Sequence, residues 1–283
     1  MKTAHPGGNM SFVDRIGIDV GRRIAAEDAV DWAISNDVRW IDVQLDIAPN
    51  EMERFDDATC ETIRERCATS NLHLGLHTLS GVNIAEISPF LRDATDQYLR
   101  AYIDLAKKTG AEWVVVHGGY HMTACREIRK QASVERLKRA VGYAEEQGVL
   151  LTLENLNAEP ELAEVHYMPD NLEDTIWYFD QIRSPNLKWA FTINHAHYDP
   201  VGIAGFVDGM DMSRCEEVRV ADNNGEYEIH MHPGTGTVDF VDMFRRIEGA
   251  GFNGHYMCGW GTIDQMLEGR GFLVEQAKAA GAA

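Results

Sequence analysis

The chain has 283 residues, of which 45% are hydrophobic and 25% are charged, a balance typical of globular proteins that excludes a largely disordered chain. Its 45 acidic residues outnumber 26 basic ones, and the formal net charge of -19 would repel a phosphate backbone, which argues against a nucleic-acid-binding protein. No apolar run reaches the roughly 18 residues that a membrane helix needs, so no membrane partner is predicted.

Neither the amino terminus nor the cysteines indicate a secreted protein. Residues 1–14 lack the apolar centre of a signal peptide and are expected to form a loose leader before a domain over 15–283. The five cysteines are odd in number and scattered, with no C-x-x-C pair, which argues against disulfides and against a cysteine zinc site. A cytoplasmic location is therefore predicted.

Short β-branched runs alternate with longer amphipathic segments along the whole chain. The predicted strands cover 15–20, 40–46, 72–80, 113–119, 149–156, 187–196, 216–222 and 254–260. Helical spacing is clear over 90–108 and 133–146, each followed by a glycine suited to a helix carboxyl cap. Eight βα units in this length predict an α/β fold, a single (β/α)8 TIM barrel. The longest irregular insert, residues 157–171, follows the fifth strand, at the end where such barrels build binding walls.

Polar residues close several of these strands. His77, His117 and Glu154 end the third, fourth and fifth strands, and strand alternation points all three toward the barrel interior. His73 lies one pleat deeper and is expected either to pack in the interior or to support one of the ligands from behind. Active sites of such barrels lie at the carboxyl ends of the strands, so we expect the three side chains to meet there. Imidazole and carboxylate ligands favour Zn, Mn or Fe over Mg.

A family resemblance follows from five motifs in order. LHT (76–78), VVVHGG (114–119), LTLEN (151–155), NHAH (194–197) and HMHPGTGTVDF (230–240) together resemble the xylose-isomerase-like TIM-barrel superfamily. This superfamily includes sugar isomerases and epimerases, dehydratases and apurinic-site DNA endonucleases. The resemblance covers about residues 15–275 and implies a divalent ion that polarises a carbonyl-hydroxyl unit while carboxylates move a proton.

The chain departs from the four-ligand pattern of the epimerases. Glu154 is kept, but Thr192 stands where the pattern has Asp, Arg219 where it has His, and the eighth strand offers Gly259 in place of a carboxylate. In one interpretation the ion has moved. Its ligands then come from six positions that match two of the three metal clusters in the endonuclease branch: His77, His117, Glu154, His195, Glu228 and His230.

In a second interpretation no metal binds, and Arg219 supplies the positive charge for a substrate carboxylate or an enolate oxygen. A third places Arg219 in a buried ion pair with Glu217 or Asp222. The predicted catalytic residues are Glu154, His195, His230 and Arg219.

Further residues are predicted to contact substrate. Asn194 and His197 would support His195, and the amides of the turn PGTG (233–236) would cradle a phosphate or carboxylate. Aromatic residues at strand ends serve as sugar-stacking walls or as core. The predicted substrate-binding set is Asn194, His197, His232, Trp260 and Tyr120. The chain is expected to bind one of the small carbohydrate-like molecules.

The expected function is a metal-dependent isomerase or epimerase acting through an enolate on a small keto sugar or sugar acid. Two alternatives stay open: a lyase, either dehydratase or decarboxylase, on an oxo-sugar acid, and a non-catalytic protein that binds a sugar acid. The endonuclease activity is disfavoured because the chain has no basic track for DNA. Phosphorylation of the substrate and assembly into a homo-oligomer are left open.

Overall fold

The computed structural model of the protein describes residues 11–283, so the first ten residues of the predicted leader lie outside it. Eight parallel strands close into a barrel, each beside its neighbours in the chain and the eighth beside the first. They are Ile16–Gly21, Trp40–Gln44, His73–His77, Trp113–Val116, Leu150–Glu154, Leu187–Thr192, Cys215–Val220 and His255–Cys258. The predicted (β/α)8 barrel is confirmed.

Helices surround this barrel. Within residues 11–283 they are α1 (Ala26–Ser35), α2 (Asp57–Ser70), α3 (Pro89–Thr109), α4 (Arg126–Gln147), α5 (Leu172–Gln181), α6 (Ile193–His197), α7 (Gly202–Gly209), α8 (Phe240–Gly249) and α9 (Ile263–Ala279). Short 3-10 turns cover Phe12–Arg15, Met52–Arg54, Thr123–Cys125 and Met212–Arg214. A two-stranded antiparallel ribbon, Tyr120–His121 with His166–Tyr167, ties the insert after the fifth strand to the loop after the fourth.

Strand alternation divides the apolar residues between two layers. Leu74 and Leu76 face the helices, whereas Trp40, Trp113 and Met257 fill the barrel interior. The third strand needs Gly75 at this point, because a Cβ at this position would lie 2.1 Å from the Trp113 ring. The interior is therefore a packed core, and side chains near the carboxyl ends of the strands form the floor of any pocket.

Two histidines belong to this core. His73 stacks on Trp40 at 3.8 Å between ring centroids, as expected for a packing residue. His255 stacks on the same indole at 4.3 Å and is 1% exposed, so it is also a packing residue. It shares the inward parity of Met257 on the eighth strand.

The sixth strand ends earlier than the pattern predicts. Residues 193–196 were predicted as strand, but Ile193–His197 forms the short helix α6. The side chain of Asn155 donates to the carbonyl of Thr192 at 3.1 Å and accepts its N–H at 3.0 Å. These bonds occupy the groups that would continue the ladder, so Asn194 and His195 lie on a helix.

Across residues 11–283, none of the helices is long and apolar enough to cross a membrane. All five cysteines carry free thiols.

Candidate active site

The ends of the third, fourth and fifth strands bring His77, His117 and Glu154 together. Glu154 Oε2 lies 3.2 Å from His117 Nε2 and 3.6 Å from His77 Nε2. The two Nε2 atoms are 3.3 Å apart. Three potential ligand atoms thus form a nearly equilateral triangle at the barrel mouth, which we call the first cluster.

The first cluster fits a divalent ion. Ligands about 2.1 Å from a tetrahedral ion are separated by about 3.4 Å, close to the three observed separations. The other ring nitrogen of each imidazole faces a partner: His117 Nδ1 lies 3.2 Å from the Thr78 hydroxyl and His77 Nδ1 lies 3.6 Å from Asp42 Oδ2. Such partners orient imidazole ligands and leave Nε2 for the metal.

Glu154 is held as a charged carboxylate. Its Oε1 accepts a hydrogen bond from the Thr192 hydroxyl at 2.5 Å, so the residue in the usual Asp position supports the glutamate. Burial raises the pKa of Glu154, but His117 and His77 outweigh it and hold the pKa well below its ordinary value. Burial and Arg219 lower the pKa of His77, yet Asp42 and Glu154 raise it to about 9. The pocket therefore has a negative field that favours a cation.

A second cluster consists of His195, Glu228 and His230. Glu228 Oε1 lies 3.1 Å from His195 Nε2 and 2.6 Å from His230 Nε2. His195 Nδ1 donates to the Asn155 carbonyl at 2.9 Å, and His230 Nδ1 donates to the Gly259 carbonyl at 2.6 Å. The two carbonyls therefore fix both rings with Nε2 toward the carboxylate.

The second cluster adjoins the first, since His195 Nδ1 lies 3.8 Å from Glu154 Oε1. Burial raises the pKa of Glu228, but hydrogen bonds from His195 and His230 lower it to about 2. The three residues offer ligand atoms within 4.8 Å of one another, as do those of the first cluster. The contacts to Glu228, at 3.1 and 2.6 Å, have the length of hydrogen bonds, so this cluster can share protons as well as offer metal ligands.

Arg219 lies buried between carboxylates. Nη1 donates to Asp42 at 2.5 Å and Glu217 at 3.1 Å, and Nη2 donates to Asp19 at 2.7 Å. Nε is 3.9 Å from Glu154 Oε1. Because the guanidinium fork is committed to protein carboxylates, the geometry disfavours the interpretation in which it holds a substrate anion. Of its two predicted ion-pair partners, Glu217 is present.

The other predicted partner, Asp222, has a different role. Its Oδ2 accepts the N–H groups of Gly234 and Gly236, both at 2.8 Å, and its Oδ1 accepts those of Asn223 and Val238. The amides of the PGTG turn, predicted to cradle a substrate phosphate or carboxylate, thus bind a carboxylate of the protein itself. That prediction is wrong.

Asp19 and Asp42, which pair with Arg219, were not predicted as site residues. They lie on the first two strands, in RIGIDV and WIDVQLD, where inward parity with Gly17 and Trp40 was the available signal. Burial and the charge of Asp42 raise the pKa of Asp19 to about 6. The pKa of Asp42 is lowered in spite of burial, because Arg219 and His77 stabilise its charge.

The predicted substrate contacts do not all reach the clusters. Asn194 is buried beside His195, and within residues 11–283 its amide has no hydrogen-bond partner. His197 Nε2 lies 2.8 Å from the Thr237 hydroxyl.

The remaining three lie elsewhere. His232 packs on Trp260, whose indole fills the space that a Cβ of Gly269 in α9 would occupy. Tyr120 lines a separate cavity of about 310 Å³ with Asn83 and Tyr98. Trp260 is a core residue, one of the alternatives for strand-end aromatics, whereas His232 is exposed.

Comparison with known proteins connects this fold to a family. Residues 30–276 match the sequence profile of the xylose isomerase-like TIM barrel family. An uncharacterised protein of Methanocaldococcus jannaschii is 27% identical over 181 residues, 62% of this chain and 59% of that protein. The chain thus spans about three fifths of the length of the curated relative it matches.

Solved structures share the fold at low identity. A D-tagatose 3-epimerase-like protein superposes with a TM-score of 0.79 at 19% identity, covering 94% of this chain and 98% of that one. D-psicose 3-epimerase of Clostridium cellulolyticum, solved with D-tagatose, gives 0.70 at 15%, covering 94% and 96%. An AP endonuclease, family 2, of Brucella melitensis gives 0.71 at 15%, covering 93% and 98%. With the profile match over most of its length, the chain belongs to the xylose isomerase-like TIM barrel family.

Proposed function

We propose that the protein is a metal-dependent isomerase or epimerase that acts through an enolate on a small keto sugar or sugar acid. The observation that carries the proposal is the first cluster, whose three ligand atoms lie 3.2–3.6 Å apart at the barrel mouth, next to a second cluster in which two histidines contact Glu228. The names of the similar solved structures, which include sugar epimerases, support the same reaction class.

The first cluster would hold the ion through His77, His117 and Glu154. A divalent cation there supplies positive charge beside the substrate oxygen that becomes anionic when the neighbouring carbon loses its proton. The protein contributes the orientation of the ligands: Thr192 fixes Glu154, and Thr78 fixes His117. Zn, Mn and Fe suit this ligand set better than Mg.

The second cluster would move the proton. Within residues 11–283 Glu228 Oε2 has no hydrogen-bond partner, so it is the carboxylate oxygen available to accept a proton. Glu228 would share that proton with His195 and with His230, whose side chain is 43% exposed and can exchange it with water. Epimerisation needs acid-base groups on both faces of the substrate, and we assign the second to Glu154: its charged carboxylate would accept the proton of one face while the second cluster gives a proton to the other.

Arg219 acts as a positioning residue in this proposal. Its guanidinium lies 3.9 Å from Glu154 and holds Asp19, Asp42 and Glu217 in the barrel interior. It therefore preserves the charge and place of the first cluster without touching the substrate.

None of the three similar solved structures is named as a lyase, and no feature of the two clusters favours dehydration or decarboxylation over proton return.

The ligand set is tested by metal analysis. We expect the purified protein to bind about one equivalent of divalent metal at the first cluster, and Glu154→Gln and His117→Ala each to lose most of it. His166→Ala, which removes an imidazole stacked on His121 on the ribbon, should leave the content unchanged. Full metal content in both cluster variants would show that the ligands are wrong.

The reaction is tested by hydrogen exchange with solvent. D-fructose and D-tagatose recovered from the enzyme in heavy water should carry deuterium at a carbon next to the carbonyl. Glu228→Gln should slow this incorporation by about a hundredfold, the usual loss for a general base. Release of CO2 or an absorbing enone would instead indicate the lyase, and binding of a ketose without any exchange would indicate the non-catalytic protein.

A further inference from the structure

A cavity of about 360 Å³ opens at the rim of the barrel after the first two strands. His77 of the first cluster lines it together with Asp19, Arg22, Arg23 and Gln44. Its volume lies within the range of small-ligand pockets, about 300–1,000 Å³. A substrate whose reacting carbon sits beside His77 would therefore extend into a space with two arginines.

Arg23 is held in place at this rim. Gly21, with φ +57°, turns the chain at the end of the first strand. Arg23 Nε donates to the Gly261 carbonyl at 2.9 Å, and Nη1 donates to the carbonyls of Asp19 and Val20 at 3.0 and 3.2 Å. These acceptors are neutral and orient the guanidinium, and the charge of Arg23 also acts on the carboxylate of Asp19 in the same cavity, which is paired with Arg219.

Arg22 is the freer of the two side chains. Within residues 11–283 Arg22 has neither a hydrogen bond nor an ion pair, and the carboxylate that shares the cavity with it, that of Asp19, is paired with Arg219. In a chain with a net charge of -19, Arg22 and Arg23 place two adjacent cations beside the candidate site. Guanidinium groups bind carboxylate and phosphate through paired N–H donors.

Two other places that would bind an anion are already filled. The guanidinium of Arg219 is surrounded by Asp19, Asp42 and Glu217. The amides of the PGTG turn bind the carboxylate of Asp222. Arg22 and Arg23 are the cations that line the cavity shared with His77.

We propose that Arg22 and Arg23 form a subsite for an anionic group, phosphate or carboxylate, at the end of the substrate remote from the reacting carbon. The inference deepens the proposed function and rests on it, since it takes the ketose to be bound at the first cluster. It assigns the preferred substrate to the keto sugar phosphates or keto sugar acids, which should bind more tightly than the neutral sugars.

Calorimetric titration with three matched ketoses tests the subsite. D-fructose, D-fructose 6-phosphate and D-fructuronate differ only at the carbon farthest from the keto end, which carries a hydroxyl, a phosphate or a carboxylate. We expect one anionic ketose to bind at least about tenfold more tightly than D-fructose, the worth of a charge-assisted contact. Arg22→Gln should remove this preference, so that the variant binds the three ketoses with similar affinity.

Arg183→Gln is the matched control. It makes the same charge change at a side chain that is 82% exposed and precedes the sixth strand, at the opposite end of the barrel. The preference should survive in this variant. Whichever anionic ketose gains affinity identifies the group as phosphate or carboxylate.

Equal affinity for all three ketoses, or a preference that persists in Arg22→Gln, would overturn the subsite. Solvent-deuterium incorporation separates this failure from failure of the proposed function. Exchange without an anion preference keeps the function and removes the subsite. Binding of inorganic phosphate that depends on Arg22, without exchange into any of the three ketoses, keeps the subsite and removes the function.

Discussion

Arg219 shows how one residue changes the chemistry of a barrel interior. It occupies a position where the epimerase pattern has a metal-ligating histidine, and it lies among Asp19, Asp42 and Glu217. Asp42 and Glu217 are completely buried. A buried ion pair adds little net stability, but removing one partner leaves an uncompensated charge, which is strongly destabilising.

We therefore expect Arg219→Gln to lower the free energy of unfolding by about 3–5 kcal/mol at neutral pH. Urea denaturation followed by circular dichroism measures this change. The loss should shrink in acid, because protonation removes the charge of the orphaned carboxylates. The exposed Arg183→Gln should change stability by less than about 0.5 kcal/mol. An equally small effect of Arg219→Gln would mean that the carboxylates are compensated elsewhere.

The surroundings of Arg219 also show which part of the site could not be predicted from the sequence. His77, His117 and Glu154 could be placed together because strand parity and the common end of parallel strands suffice to orient them. The carboxylate partners of Arg219 could not be placed beside it in this way. Asp42 and Asp19 precede it by 177 and 200 residues, and only closure of the barrel brings these strands to face one another. A lone carboxylate within a strand pattern carries no local sign of its partner.

At the scale of elements, all eight strands were predicted, but the residues at which they end were predicted less accurately. The sixth strand stops at Thr192 because Asn155, on a neighbouring segment, takes both of its backbone groups. The local sequence 193–196 is as compatible with a strand as with a helix. His195 was thus assigned to the correct rim of the barrel but to the wrong kind of element.

The junction between the long insert and α5 holds a carboxyl group with an altered pKa. Asp170 precedes Asn171, the residue that caps α5. Nearby Asp174 is buried and pairs with Arg126 and Lys130. Burial and the charge of Asp174 raise the pKa of Asp170 to about 6, from an ordinary value of 3.8. The folded state therefore binds a proton at Asp170 more tightly than the unfolded chain.

This junction should make stability depend on pH. The cost of ionising Asp170 is absent below its unfolded pKa of 3.8 and fully present above about 6. We expect Asp170→Asn to stabilise the protein by about 1 kcal/mol at pH 8 and to lose most of this gain near pH 4. Urea titrations at the two pH values measure it. Asp180→Asn, at an exposed position of α5, should show no such contrast; a gain from Asp170→Asn that is the same at both pH values would mean that ionisation of Asp170 is not its cause.

At the scale of the whole molecule, fold and charge point to different partners. The barrel superposes on an AP endonuclease, family 2, with a TM-score of 0.71, and its described residues include two clusters that could hold a metal ion. The architecture alone therefore permits chemistry on DNA. Fold does not decide function, which depends on the site and on the surface that presents it.

The net charge argues against DNA as the substrate. A protein that binds duplex DNA gains affinity by neutralising phosphates with Lys and Arg, whereas this chain carries 45 acidic residues against 26 basic ones. We expect no binding of an abasic-site duplex tighter than about 10⁻⁴ M by fluorescence anisotropy at physiological salt, and no strand cleavage. The same preparation should exchange deuterium into a ketose, which shows that the enzyme is active. Tight binding that weakens steeply with salt would reveal a local basic surface that outweighs the total charge. Such a result would indicate that the two clusters hydrolyse a phosphodiester and do not act on a sugar.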